Sequence, residues 1–475
     1  MFLGIDLGTG SCKALLLNHD GAIVAEASQA YPVKAPRPGW AESDPLDWWQ
    51  AVGKAVRAAV GKQAPAVRAI GLSGQMHGVV LADAEGNPLY PAILWADGRS
   101  GAELTALHQL SEAQQQRLAN PLVVGMAAPS LLWLKQHRPA LYQAARWALQ
   151  PKDWLRLRLT GEVGSEPSDA SGTLLYDLLA DRWAWDILEA LELRPGLLPP
   201  LGPSAQVAGT LKPEAARHLG LPAGIPVAAG AADTAAALLG SGLPVGEAQL
   251  TVGTGAQITV LLTKPKIDPT LRTHLYRAAL PGQWYAMAAM QNAGLALEWV
   301  RAVLGLSWAQ AYREAEAVSP GSEGLTFLPY LTGERTPHLD PLARGVWAGL
   351  GRHHRRGHLM RAALEGVAFG LRAGLEALGE AIPPHSPLRL AGGGTAHPFW
   401  RQLLADVLKR PLQGVPVRSA SALGAALLGA LSQGLNPQGP QPPAEPAIWP
   451  QASYEEGYTR FKQLYAGLAG WFGAK

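Results

Sequence analysis

Four short stretches of the chain place polar side chains where they could do chemistry. In the first, an apolar run from Phe2 to Ile5 ends in Asp6, and a glycine turn, Gly8-Thr9-Gly10, leads into a second run from Cys12 to Leu17. Small residues at a strand end leave backbone N–H groups open, and such concavities bind anions, phosphate above all. Thr9 adds a hydroxyl, Lys13 a positive charge, and Asp6 a carboxylate of the kind that holds a magnesium-bound water. The competing reading is a plain β-turn between two core strands. In the second stretch, Gly74-Gln75-Met76-His77-Gly78, an amide, a thioether and an imidazole share one turn, against the alternative of a histidine satisfied by local hydrogen bonds. The third is Asp233, just ahead of a helix of small residues. It either caps that helix or, ionised, orients a hydroxyl and accepts its proton in phosphoryl transfer. In the fourth, Gly392-Gly393-Gly394 joins a strand to a helix, where a flat base or a phosphate can lie against bare backbone, the alternative being a tight connection. Trp95, ending an apolar run, faces a sugar or belongs to the core.

The elements that position these residues can be read from spacing. Asn18-His19-Asp20-Gly21 signals a hairpin, so a strand rather than a helix follows the opening turn. That removes the dinucleotide reading of Gly8-Thr9-Gly10, which also lacks a glycine where Lys13 stands. Asp44-Pro45 reads as N-cap and first helical residue of a helix through Val60. Residues 128–149 read as helical. After Gly246 the opening pattern recurs: Gln249 to Val252, then Gly253-Thr254-Gly255, then Ala256 to Thr263. Aligned turn to turn, Asp6 falls on Thr251. A duplication at half the chain length predicts two similar domains, 1–240 and 241–475, whose glycine turns face each other across a cleft around one polyphosphate. Further helices are expected near 294–304, 359–378, 399–408 and 420–431. Residues 436–450 hold six prolines and read as a stiff connector. A final helix near 453–472 carries aromatics at helical spacing and should pack on a lobe, with the first domain as one option.

Composition narrows the function. With 48% hydrophobic and 16% charged residues the chain is not mainly disordered. A net charge of +3 over 475 residues advertises neither nucleic acid nor a membrane surface. No apolar run is long and unbroken enough to span a bilayer. A lone cysteine, Cys12, cannot form an internal disulfide, and no signal peptide is evident, so a cytoplasmic location is expected. HExxH, GxSxG and zinc-finger spacings are absent.

The IDLGT turn, GQMHG, ILWADGR, the Gly253-Thr254-Gly255 repeat, LPYLTGERTPH (328–338) and the Leu390–Gly394 segment, in this order, resemble the FGGY carbohydrate kinases over nearly the whole chain. Gly74-Gln75-Met76-His77-Gly78 is similar to the version carried by the family's xylulokinases, where glycerol kinases have an arginine–glutamate pair. The resemblance implies an α/β fold of two actin-like (ribonuclease-H-like) ATPase domains around a central cleft that binds ATP and a sugar. It implies Asp233 as base for the 5-hydroxyl of D-xylulose, with Gln75, Met76, His77, Trp95 and Thr234 around the sugar; the family usually has asparagine or glutamine at position 234. It places Asp6 near Mg²⁺, and Gly8, Thr9, Gly10, Lys13, Gly253, Thr254 and Gly255 near the phosphates. Gly393 and Gly394 fall near the adenosine. A kinase for ribulose, ribitol or gluconate, or a non-catalytic actin-like ATP-binding regulator, are the alternatives; a homodimer is one option for assembly.

Overall fold

The computed structural model describes residues 1–383, 386–415, 418–437, 439 and 445–473. In the first half, β1 (Phe2–Leu7), β2 (Ser11–Leu17) and β3 (Ile23–Ala30) form an antiparallel meander. Leu7 pairs with Cys12 across the glycine turn, and the Asn18 side chain accepts from the Asp20 and Ala22 N–H groups at 3.0 and 2.8 Å in the next turn. Helix α1 (Pro45–Val60) starts where the capping residues require: the Asp44 carboxylate accepts from Leu46 N–H at 2.9 Å. Its apolar face buries Trp48, Val52 and Val56 against the sheet.

Strand β4 (Ala69–Gly74) then runs parallel to β1. A buried helix, α2 (Pro151–Thr160), precedes β5 (Val207–Thr210), β6 (Pro226–Ala228) and the two-residue β7 (Ala231–Ala232), which leads into helix α3 (Asp233–Gly240). The sheet order is β5-β6-β4-β1-β2-β3, with β7 alongside β4.

The second half repeats this plan. It comprises β8 (Ala248–Val252), β9 (Ala256–Leu262), β10 (His274–Arg277), β11 (Trp284–Met290), α4 (Gly294–Val303) and α5 (Arg356–Ala377). There follow β12 (Leu388–Ala391), α6 (Pro398–Leu408), β13 (Leu412–Gly414) and α7 (Ala420–Leu431). Its order, β10-β11-β9-β8-β12-β13, places an antiparallel meander beside parallel strands, as in the first sheet. The expected duplication is therefore a structural one. The middle of the proline-rich connector lies outside the described residues.

Helix α7, from the second half, lies on the first sheet over β1 and β4. Conversely, Ala235, Ala236 and Leu238 of α3 share a core cluster with Tyr276, Tyr285 and Met287 of the second sheet. The exchanged helices meet where neither carries a side chain: a Cβ on Gly240 would fall 2.0 Å from Ala420 O, and one on Gly424 1.8 Å from Ala236 O. Sequence halves and spatial lobes thus differ by one helix in each direction.

Two expectations need correction. Residues 128–149 are not one helix, because Pro139 forces Arg138 out of the helical region (φ −139°, ψ 51°) and residues Trp147–Leu149 form a strand. The final helix, α8 (Glu455–Phe472), does not return to the first lobe. It packs on α5 of the second, where Tyr458 and Phe461 surround Phe369 and Arg372 pairs with Glu455.

Candidate active site

Ligand sites in open α/β sheets lie beyond the carboxyl ends of parallel strands, and there the first lobe concentrates its polar residues. Asp6 pairs across β1–β4 with Ser73 and across β1–β2 with Lys13, while Ala231 lies opposite Ser73 on the other side of β4. Two residues beyond Ala231 the chain reaches Asp233, so both acids arrive at one edge. Ser73 Oγ donates to Asp6 Oδ1 at 3.0 Å. Burial raises the Asp6 carboxyl, against the pull of Ser73 and Lys13. Asp233 is pushed up to about 7, by burial first and then by the charge of Asp6, while the Thr234 N–H and hydroxyl oppose the shift. Those two donors reach Asp233 Oδ1 at 2.6 and 3.2 Å. The helix-cap alternative is not what forms: Asp233 is the first helical residue, and Ala232 is the N-cap. Thr234 therefore holds the acid. The Lys13 side chain makes no hydrogen bond or ion pair among the described residues.

The Gln75–His77 turn divides its tasks. Gln75 is buried, and its Nε2 donates to Gly8 O at 3.3 Å, so it braces the glycine turn from behind. The Tyr31 hydroxyl donates to the same carbonyl. Met76 is buried beside α3, and its Sδ accepts from Tyr285 OH at 3.5 Å. His77 has the left-handed backbone (φ 71°). Its Nδ1 lies 2.6 Å from Gly172 O, and a carbonyl only accepts, so Nδ1 carries the proton and Nε2 is left as an acceptor. Burial, with Arg335 adding to it, lowers this imidazole to about 4, so it is neutral at pH 7. Trp95, 37% exposed, donates from Nε1 to Thr9 Oγ1 at 2.9 Å.

In the second lobe, Gly253-Thr254-Gly255 and Gly392-Gly393-Gly394 cap neighbouring parallel strands, β8 and β12. Gly253 N–H donates to Gly255 O at 2.8 Å, and the Gly253 and Thr254 carbonyls take the Gly294 and Leu295 N–H groups of α4. Gly392 adopts φ 96° and lies against the end of β8; a Cβ there would meet Val252 O at 2.3 Å. Gly393 has nothing within 4 Å of its Cβ position. The two turns form one glycine-lined edge. No hydrogen bond joins Gly253-Thr254-Gly255 to Gly8-Thr9-Gly10 among the described residues.

Several residues beside the candidate site escaped the sequence reading. Second-lobe Tyr276 stands with its ring 5.9 Å from that of His77. Arg335 reaches the first lobe, with Cζ 5.7 Å from the Trp95 ring centroid. It lay inside LPYLTGERTPH, a recognisable run with no role attached; Tyr276, in the four-residue strand His274–Arg277, had no signal. Behind the acids, Lys152 Nζ contacts Asp153 (2.7 Å), Asp169 (3.2 Å) and Glu166 (3.5 Å), all fully buried. Ser168 Oγ donates to Glu166 and accepts from Ala232 N–H at 2.9 Å, anchoring the strand that delivers Asp233.

Comparison with known proteins follows the same division. Residues 1–240 match the N-terminal domain model of the FGGY family of carbohydrate kinases, and residues 248–432 match its C-terminal domain model. The chain is 38% identical to the xylulose kinase of Escherichia coli over 98% of its length and 99% of the relative's. Two crystal structures from Lactobacillus acidophilus are each 27% identical over 99% of the chain: a ligand-bound xylulose kinase (TM-score 0.93, 99% of that chain) and a gluconate kinase (TM-score 0.92, 98% of that chain). The fold alone does not select the sugar.

Proposed function

We propose that the chain, which belongs to the FGGY family of carbohydrate kinases, transfers the γ-phosphoryl group of ATP to the 5-hydroxyl of D-xylulose. The family is that of ATP-dependent sugar kinases. The single observation that carries the finer reading is the pair Asp6–Asp233 at one strand edge, with Asp233 lifted to about 7. A base poised near the working pH is ionised often enough to act and basic enough to take a proton. Asp233 accepts the proton of the 5-hydroxyl as that oxygen bonds to phosphorus and the bond to ADP breaks. Thr234 fixes the carboxylate, and Lys13, unpaired among the described residues, balances phosphate charge.

A carboxylate whose charge raises the proton affinity of its neighbour suits a divalent cation, and Asp6, whose Oδ1 is held by Ser73, would hold Mg²⁺ directly or through water. When bound, Mg²⁺ supplies positive charge to the phosphate oxygens. The bare edges at Gly8–Gly10 and Gly253–Gly255 approach the polyphosphate, and Gly393 and Gly394 leave room for the adenosine. His77 Nε2 takes a sugar hydroxyl, and Trp95 forms the wall above it.

The test is sugar-dependent ADP release across D-xylulose, ribulose, ribitol and gluconate. D-Xylulose should give the highest kcat/KM. A higher value for another acceptor moves the assignment to that sugar, and ATP hydrolysis indifferent to every acceptor would overturn the kinase reading.

A further inference from the structure

We propose that Arg335, presented by the second repeat, is a catalytic residue that donates to the oxygens of the phosphoryl group as it passes from ATP to the acceptor. The inference rests on the reading that the transfer takes place between the two Gly-Thr-Gly turns.

Two tethers place this side chain between those turns. The first is the backbone, which is bound to the second turn. Met290 and Gln291 line that turn: a Cβ on Gly255 would fall 2.6 Å from Met290 O and 3.4 Å from Gln291 O. Gln291 and its neighbour Asn292 also clamp the tip that carries Arg335. Gln291 N–H and Arg335 N–H both donate to Glu334 Oε1, at 2.7 and 2.8 Å. Asn292 Nδ2 donates to Gly333 O at 2.5 Å, and Thr332 N–H donates to Asn292 Oδ1 at 3.3 Å. The second tether is the side chain, which leads to the first turn. The guanidinium lies over Trp95, with Cζ 5.7 Å from the ring centroid, and the same indole donates from Nε1 to Thr9 Oγ1 at 2.9 Å. Arg335 is thus fixed by its backbone beside Gly253-Thr254-Gly255 and by its head beside Gly8-Thr9-Gly10.

The guanidinium makes no hydrogen bond or ion pair among the described residues, although the residue is half-buried. Other arginines with little exposure are paired: Arg99 with Asp97 and Glu42, Arg361 with Glu365, Arg372 with Glu455. A charge withdrawn from water without a counter-charge is costly, so an unpaired one on a clamped tip implies an anion brought by the ligand. A sugar hydroxyl or carbonyl would leave that charge uncompensated. A phosphoryl group compensates it, and two of its oxygens match the planar fork of a guanidinium.

The two repeats differ in a way that gives Arg335 its place. Lys13 stands opposite Asp6 in the first repeat, and the equivalent position opposite Thr251 is the neutral Gln257. The second repeat therefore offers no cation from its own hairpin, and Arg335 supplies one from the clamped tip. As the acceptor oxygen bonds to phosphorus and the bond to the ADP oxygen breaks, the acceptor's proton goes to Asp233 and the departing oxygen keeps the electron pair. The guanidinium stays protonated throughout and donates to the oxygens of the group in transit, where charge must be held against two nearby acids.

The test measures ADP release with D-xylulose, ribulose, ribitol and gluconate, and with water alone, in wild type, Arg335→Gln and Arg335→Lys. Arg335→Gln should lower kcat about 10²- to 10³-fold, the cost of losing one donor to the reacting group. The factor should be the same for every acceptor the wild type uses, water included, with KM for the acceptor unchanged. Arg335→Lys keeps the charge but not the fork and should fall between the two. At equilibrium, ADP with aluminium fluoride and the acceptor, a stand-in for the group in transit, should bind the wild type more tightly than ADP alone. Arg335→Gln should lose that gain while its affinity for ADP alone stays the same. A rise in KM for the acceptor at unchanged kcat, or a loss that differs between acceptors, would put the guanidinium on the acceptor and overturn the proposal. Should the glutamine variant not fold, a lysine variant as fast as the wild type overturns it equally. ADP release indifferent to every acceptor sinks the sugar-kinase reading alone, because the same loss is then expected on hydrolysis. A wild type that turns over no ATP sinks both.

Discussion

Asp6 at the end of β1 and Thr251 near the end of β8 occupy the same place in the two repeats, each just before an apolar residue and a Gly-Thr-Gly turn. Opposite Asp6 stands Lys13, and opposite Thr251 stands Gln257. The next parallel strand ends in Gln75-Met76-His77 in the first repeat and in Gly392-Gly393-Gly394 in the second. One backbone plan thus presents acids and an imidazole on one side of the cleft and bare peptide on the other. The difference follows from what each side is proposed to handle. A hydroxyl must give up its proton to a base, whereas a polyanion is best met by N–H groups with no side chain in front of them. The repeated plan supplies the geometry, and the residues at a few strand ends set the proposed division of work.

The sharpest way to break that comparison is to remove the acid that has no counterpart in the glycine-lined edge. Asp233→Ala should lower kcat by about 10²-fold or more while ATP affinity measured by calorimetry stays the same. A loss of only a few-fold would mean that the asymmetry of the lobes does not lie in their acids.

The exchange of α3 and α7 tests the symmetric part of the comparison. Gly424→Val inserts a branched side chain where even a Cβ would lie 1.8 Å from Ala236 O, against a backbone that cannot yield like a flexible side chain. It should destabilise by roughly 1–3 kcal/mol in denaturant unfolding, the ordinary cost of overpacking. Gly467→Ala on α8, where nothing stands within 4 Å, should leave stability unchanged or slightly raised. Equal behaviour of the two variants would mean that the helix pair is not a packed joint.

Much of this was legible before any coordinates. The glycine turns, the hairpin at Asn18–Gly21, the Asp44-Pro45 helix start and the repeat at Gly253 are local signals, set by backbone freedom and capping over a few residues. The exchange of α3 and α7 was not legible, because alanine-rich segments such as Asp233–Gly240 and Ala420–Leu431 carry no mark of which sheet they will cover. Likewise, the resemblance puts Gln75 and Met76 near the sugar, but the bond from Gln75 to Gly8 O and the contact of Met76 with Tyr285 are tertiary and could not be read from the motif. Alternation along a turn cannot tell which of its three side chains faces outward. Arg335 and Tyr276 meet the first lobe only through tertiary folding, so no spacing in the sequence links them to His77.

The smallest effect probes the asymmetry most directly, through the influence of Asp6 on its neighbour. Asp233 is raised by burial and then by the negative charge of Asp6. Replacing Asp6 by Asn keeps the shape and the acceptor for Ser73 and deletes the charge. An ionised Asp233 then meets less repulsion, so its pKa falls. If Asp233 in its ionised form is the base, the acid limb of kcat/KM for the sugar lies near pH 7 in the wild type. It should move to lower pH in Asp6→Asn, by less than about one unit because burial remains the larger cause. The absolute rate falls as well if Asp6 holds Mg²⁺, but a lost metal ligand does not by itself predict the direction of the limb. In the second repeat the equivalent change, Thr251→Val, removes no charge and should leave the limb in place. A limb that moves upward, or moves equally in both variants, would separate the titrating group from the Asp6–Asp233 pair.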